Sequence, residues 1–262
     1  MQQKPDFSNK SYLLPHINKE GRRFGIPALL IAAIFPAVSL TAFFLVVCHT
    51  QFGLQHHVGL LTTSLIFALL SIPFLMLAYG VFLFFRDPER YPPDDPKAIL
   101  SPADGRICMI KDLPLPSELL KDAPSSWNLS PETTYTRVSV FMSVFNVHVN
   151  RMPTAAKILK KVHVPGKFFN ASLDKASTDN ERCCYLMETP AGVKYGVVQI
   201  AGLVAKRIVP FVDEGAELAN IERFGLIRFG SRLDVYLPVG VKAEVREGQI
   251  MVAGETVLGH LA

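Results

Sequence analysis

The sequence predicts a mostly-β domain, α+β at most and sandwich- or barrel-like, preceded by a two-helix transmembrane hairpin. Two long uncharged apolar runs precede residue 86. A proline- and acid-rich link follows them, and then comes a series of short segments that alternate apolar and polar residues between Gly and Pro. Composition agrees: 49% of the 262 residues are apolar and 19% are charged, below the ~25% of a typical soluble domain.

The first run, "FGIPALLIAAIFPAVSLTAFFLVVCHT" (24–50), and the second, "GLLTTSLIFALLSIPFLMLAYGVFLFF" (59–85), contain no charged residue. At 1.5 Å per residue each can cross a hydrocarbon core of ~30 Å. Neither fits a secretory leader, because polar chain precedes the first and the pair exceeds any short apolar leader core. The expected helices span about 26–48 and 60–85, after an N-terminal segment 1–23. Pro36 and Pro73 lie inside them, as membrane helices tolerate. Lys19, Arg22, Arg23, Arg86 and Arg90 flank the pair, whereas the link "QFGLQHHVG" (51–59) has no Lys or Arg. The positive-inside bias therefore places both flanks, and the domain 86–262, on the cytoplasmic side of the cell (inner) membrane.

Beyond the link "RDPERYPPDDPKAIL" (86–100), strands are expected within 98–110, 136–144, 157–166, 183–202, 232–238 and 241–262. "TPAG" (189–192) reads as a hairpin turn, and residues 112–134 as a loop-rich insertion with one helical turn at Ser117–Lys121. The closing run "VREGQIMVAGETVLGHLA" is similar to the end of a lipoyl-type β-sandwich but has no lysine at a hairpin tip.

Cys48, Cys108, Cys183 and Cys184 form no CxxC spacing and read as reduced thiols. The seven histidines are scattered, so no metal site is expected. A net charge of +4 suits an anionic membrane surface, and no basic aromatic stripe suggests nucleic acid.

Within "IRFGSRLDVYLP" (227–238), Gly230-Ser231 stands between two strand-like runs. A turn or bulge accounts for such a pair. So does a reactive bond: a Ser hydroxyl over the preceding carbonyl can shift the acyl group from N to O. The ester can β-eliminate to dehydroalanine, whose hydrolysis leaves a pyruvoyl group and ammonia. That chemistry needs a base, for which Asp104 in "SPADGRI" and His148 in "VFNVHVNRMP" are candidates. Asp-Gly is also a common turn pair, and a strand histidine is also a common packed residue.

"RDPERYPP", "SPADGRI", "VSVFMSVFNVHVNRMP", "PGKFFNASLDKASTDNER", "AGLVAKRIV" and "FGSRLDVYLP" occur in that order. Together they resemble the short form of phosphatidylserine decarboxylase over essentially everything after residue 86. The resemblance implies a proenzyme that cleaves itself between Gly230 and Ser231 and converts Ser231 to a pyruvoyl cofactor. Its large and small chains stay associated, and a homodimer is compatible with it. It implies decarboxylation of membrane phosphatidylserine to phosphatidylethanolamine through a Schiff base, with Asp104 and a histidine assisting self-cleavage. The long form has two histidines three apart. Here His148 matches the first, Arg151 stands at the second place, and Arg232 follows the serine, so His148 is expected to serve both maturation and turnover. Lys206 and Arg207 are candidates for the lipid phosphate, or an ordinary solvated pair. Phe168-Phe169 are candidates for contact with the bilayer, or residues folded over their own core. A membrane-anchored β-sandwich adaptor or carrier-like module, with Gly230-Ser231 as a structural bulge, is the alternative from a different class.

Overall fold

The computed structural model describes Ile17 and residues 19–48, 54–203, 207–228 and 230–261. The chain divides into two compact units, Met1–Pro88 and Glu89–Ala262.

In the first unit, α1 (Lys19–Cys48) and α2 (Leu54–Phe84) pair antiparallel. Phe35 stacks on Phe74 with ring centroids 4.4 Å apart, and Phe24 on Phe85 at 5.9 Å. Ser39 and Ser64 exchange hydroxyl-to-carbonyl bonds of 2.9 and 3.1 Å, a polar clasp of the kind that joins helices in an apolar medium. Gly21–Cys48 and Val58–Phe84 are long and apolar enough to cross a membrane, and many of their large side chains, Leu40, Phe44 and Met76 among them, point outward.

The second unit is mostly β, as expected. Its strands are β1 (Ala98–Leu100), β2 (Gly105–Pro114), β3 (Thr134–Met142), β4 (Val149–Arg151), β5 (Ala156–Val164), β6 (Arg182–Glu188), β7 (Lys194–Ala201), β8 (Arg207–Pro210), β9 (Glu217–Leu218), β10 (Arg223–Arg228), β11 (Ser231–Tyr236), β12 (Ile250–Met251) and β13 (Val257–His260). The described residues also include two short helices, α3 (Ser117–Leu120) and α4 (Ala176–Asp179), and a 3-10 turn at Ser125–Trp127. The strands form an eight-stranded sheet of order β12-β2-β3-β11-β7-β6-β5-β9, a three-stranded sheet β4-β10-β8 and a pair β1-β13. The sheets are open, so the architecture is stacked sheets rather than a closed barrel.

Both faces of the central strands β11, β7 and β6 are buried. Cys183, Tyr185, Met187 and Val197 face a core shared with Ile99, Ile208, Phe224 and Leu258 of the two small sheets. Cys184, Leu186, Val198 and Ile200 face a second core under Leu115 and Leu119. Successive strand residues point to opposite faces, so adjacent Cys183 and Cys184 belong to different cores. Burial pushes the Cys184 thiol up to about 12. Thr189–Gly192 closes the β6–β7 hairpin through Gly192 N–H to Thr189 O at 2.8 Å, and the expected helical turn after Ser117 is α3. Residues 241–249, expected as strand, form none.

Candidate active site

The chain leaves the three-stranded sheet at the end of β10 and enters the eight-stranded sheet at Ser231, the first residue of β11. The corner is Gly230, whose φ of +57° lies in the left-handed region that only glycine adopts readily. Ser231 is fully buried, level with Met142 of β3 on one side and Ala201 of β7 on the other. Its Oγ lies 4.0 Å from the Met142 sulfur. The Gly230 carbonyl is packed against Gly202, where a Cβ would fall 2.1 Å from the Gly230 oxygen. The space beside this carbonyl therefore requires glycine at 202, while at 230 glycine is favoured by the positive φ.

His148 is also fully buried. It follows a tight turn in which Asn146 Oδ1 accepts the Ser143 N–H at 2.9 Å and the Ser143 hydroxyl at 2.8 Å. His148 Nδ1 lies 2.9 Å from the Asn146 carbonyl. A carbonyl only accepts, so Nδ1 carries a proton, and in the neutral ring Nε2 presents a lone pair, as a base must. The His148 carbonyl accepts the Ile227 N–H at 3.3 Å, which sets the histidine beside the end of β10, just ahead of Gly230.

Asp104 is held differently. Arg90 Nη2 donates to both carboxylate oxygens, at 2.8 and 2.7 Å, and the Ala253 N–H donates to Oδ1 at 2.8 Å. Among the described residues it bonds neither His148 nor Ser231. It borders the same region: Arg151 N–H bonds the Pro102 carbonyl at 2.9 Å. A Cβ on Gly105 would fall 2.1 Å from the Phe141 carbonyl oxygen, one residue from the Met142 that lies beside Ser231. The Arg90 partnership was not visible in "RDPERYPP" as a string.

Arg232 is buried too, and its guanidinium is saturated. Nε and Nη2 donate to Asp234 Oδ1 and Oδ2 at 2.8 and 2.9 Å, and Nη1 to the carbonyls of Ala171 and Leu173 at 3.1 and 2.8 Å. Nη2 also donates to the Ser177 hydroxyl. The residue after the candidate nucleophile thus fastens the loop 166–180 to β11. Asn180 fastens it again, its Nδ2 donating to the carbonyls of Phe169 at 2.8 Å and Ala201 at 2.7 Å.

A buried polar row that sequence reasoning missed approaches Ser231 through the core. Tyr185 OH donates to Gln199 Oε1 and Gln199 Nε2 to Asn150 Oδ1, both at 2.8 Å. Asn150 Nδ2 lies 3.7 Å from the Met142 sulfur. The available signal was polar Gln199 inside apolar "GVVQIA", the same kind that marked His148. Of the phosphate candidates, Arg207 is exposed at the start of β8 opposite Arg228 of β10, and Lys206 lies outside the described residues. Phe168 packs on the core, while Phe169 is exposed. A cavity of about 540 Å³ lined by Lys157, Glu188 and Leu218 lies at the other end of β6 from Arg182 and shares none of these groups.

Gly230 and Ser231 thus lie where β3, β7, β10 and β11 end or begin, with the His148 backbone bonded to the last residues of β10 and Asp104 on an adjoining loop. Comparison with known proteins shows the family. Residues 78–259 match the family described as phosphatidylserine decarboxylase. The phosphatidylserine decarboxylase proenzyme of Erythrobacter litoralis is 46% identical over 248 residues, 94% of this chain and 88% of that protein. That of Novosphingobium aromaticivorans is 46% identical over 94% of this chain and 87% of its own length. That of Ruegeria pomeroyi is 55% identical over 71% of this chain and 80% of its own. The chain belongs to the phosphatidylserine decarboxylase family.

Proposed function

We propose that the chain decarboxylates phosphatidylserine to phosphatidylethanolamine and carbon dioxide, using a pyruvoyl group made from its own Ser231. The observation that carries this reading is the Gly230–Ser231 bond. A left-handed glycine precedes a buried serine, and the carbonyl to be attacked is packed where only Gly202 leaves room.

In maturation, Ser231 Oγ attacks the Gly230 carbonyl carbon and the acyl group moves from nitrogen to oxygen. Removal of the Ser231 α-proton then expels the Gly230 carboxylate and leaves dehydroalanine. Water adds and the nitrogen departs as ammonia, so atoms balance without a redox partner. His148 Nε2 is assigned as the base, because Nδ1 is committed to the Asn146 carbonyl. Asp104, ion-paired with Arg90, is assigned to self-cleavage alongside it. Because β11 is hydrogen-bonded on both sides from Ser231 onward, the new end stays in place once its bond to Gly230 is gone.

The pyruvoyl group, when present, supplies a carbonyl that accepts the electron pair left by departing carbon dioxide. In turnover His148 returns a proton to the product, and Arg207, with Lys206, meets the lipid phosphate. The large and small chains remain associated. The catalytic unit works on the cytoplasmic side of the cell membrane, supported by the basic flanks of the two apolar helices.

Intact mass spectrometry of the purified protein and of Ser231→Ala tests the reading. The expected wild type gives a fragment 231–262 whose first residue is lighter than serine and reacts with hydroxylamine, while the variant stays whole. A wild type found as one chain overturns it.

A further inference from the structure

We propose that the loops around Gly230–Ser231 form a rim that inserts into the surface of an anionic bilayer, led by Phe145 and Leu203. This inference rests on the proposed function and extends it to how the catalytic unit meets its lipid.

The register of the large sheet places the rim. Met142, Ser231 and Ala201 lie level across β3, β11 and β7, so residues 143–146 and 202–203 leave the sheet at the same end as the Gly230 corner. Gly202 touches the Gly230 carbonyl, and a Cβ built on it would lie 3.2 Å from Ala171 Cβ, which brings the loop 166–180 to that end as well. Each of the three loops displays large apolar side chains: Val144 (41% exposed) and Phe145 (73%), Leu203 (67%), and Phe169 (38%) and Leu173 (55%). Exposed apolar residues are ordinary when scattered. Five of them on three loops, converging from distant parts of the sequence upon one bond, are not scattered.

The display is built rather than loose. Phe145 sits at the tip of the turn that Asn146 closes onto Ser143, and the same turn offers its Asn146 carbonyl to His148. One turn therefore holds an aromatic ring outward and the candidate base inward. Phe169 is fixed by two bonds to Asn180.

Charge selects the occupant. Lys167 and Lys175 lie 5.6 and 5.8 Å from the centre of the Phe169 ring, and Arg207 is exposed near the same corner. Lys175 also faces Asp179 at 3.7 Å. Apolar side chains with Lys167 and Lys175 beside Phe169 and Arg207 near the corner match a bilayer whose headgroups are anionic and whose interior is apolar.

The test uses the full chain in nanodiscs of phosphatidylcholine and phosphatidylserine. Trp127 is the chain's one tryptophan, so Trp127→Phe gives a dark background into which Phe145→Trp is introduced. Val239→Trp is the control, since Val239 is 63% exposed beyond the opposite end of β11. The expected result is strong quenching of the tryptophan at 145 by phosphatidylcholine brominated on its acyl chains, with the one at 239 unquenched. In parallel, Phe145→Ser with Leu203→Ser should lower kcat/KM on bilayer phosphatidylserine about ten-fold relative to that on a monomeric short-chain phosphatidylserine, since buried apolar area drives insertion. Equal quenching at both positions, or none at 145, overturns the inference. Emission at 145 that responds to protein concentration and not to bromine makes the rim a contact between copies and overturns it too. An uncleaved chain inactive on the monomeric lipid would instead defeat the proposed function, and the quenching would still report on the rim.

Discussion

Arg232 and Asp234 face each other across one intervening residue of β11, joined by two parallel bonds of 2.8 and 2.9 Å in the fully buried interior. Truncating Arg232 leaves Asp234 buried with only Arg137 at 3.9 Å and the Ser177 hydroxyl beside it among the described residues, so Arg232→Met should cost about 3 kcal/mol of stability. Arg232→Lys should recover only a small part, because an ammonium cannot make the fork. Thermal unfolding of the three proteins checks this ordering.

Gly202→Ala should block self-cleavage while leaving the sheet intact. The added methyl would overlap the Gly230 oxygen at 2.1 Å, and backbone on both sides leaves little room to yield. Intact mass should show an uncleaved chain with wild-type circular dichroism. Normal cleavage would mean that the carbonyl does not need this seat.

Asn146→Ala removes the acceptor for two Ser143 bonds without touching the carbonyl that holds His148. Cleavage should slow about ten-fold, the scale of a positioning defect rather than of a lost base. His148→Ala should abolish it. A pulse-chase of precursor and fragment separates the two.

Asp174 ties the loop 166–180 to Lys111 and Arg137, and their donors hold its carboxyl down from 3.8 to about 2. Its contribution is present above pH 4 and is lost as pH falls from about 4 to about 2. Urea unfolding at pH 5 and pH 2.5 should show Asp174→Asn closing part of the gap that wild type opens over that interval.

Cys184 should resist iodoacetamide at pH 8 in the native protein, since burial keeps the thiol protonated. Peptide mapping after alkylation should find it modified only when denaturant is present.

Much of the fold was legible because long uncharged runs and strict alternation are local signals. The two helices carry the first, β3 and β11 the second, and the β6–β7 hairpin is marked by its TPAG turn between near-continuous apolar runs. The strands β4, β8, β9 and β12 have two to four residues, too few to show a period. Residues 241–249 alternate without finding a ladder. At the site, Ser231, His148 and Asp104 stood out by their string. Their supports did not, because those partners arise from strand order. Gln199 meets Asn150 from 49 positions away, Arg90 meets Asp104 from 14, and Gly202 meets Gly230 across neighbouring strands. Adjacent Phe168 and Phe169 were indistinguishable as letters, yet the loop turns one inward and the other out.

The segment after Gly230 supplies β11 between β3 and β7, β12 beside β2, and β13 beside β1. A cut before Ser231 therefore divides no domain. It leaves a short chain woven through two sheets as a middle strand and two borders, released only by unfolding its host. Sequence order and event order then coincide: the centre of the large sheet does not exist until Ser231–Tyr236 have been made and placed. Under the proposed function, self-cleavage in this architecture doubles as a proofreading step, since only a molecule with β11 in place can gain its reactive end.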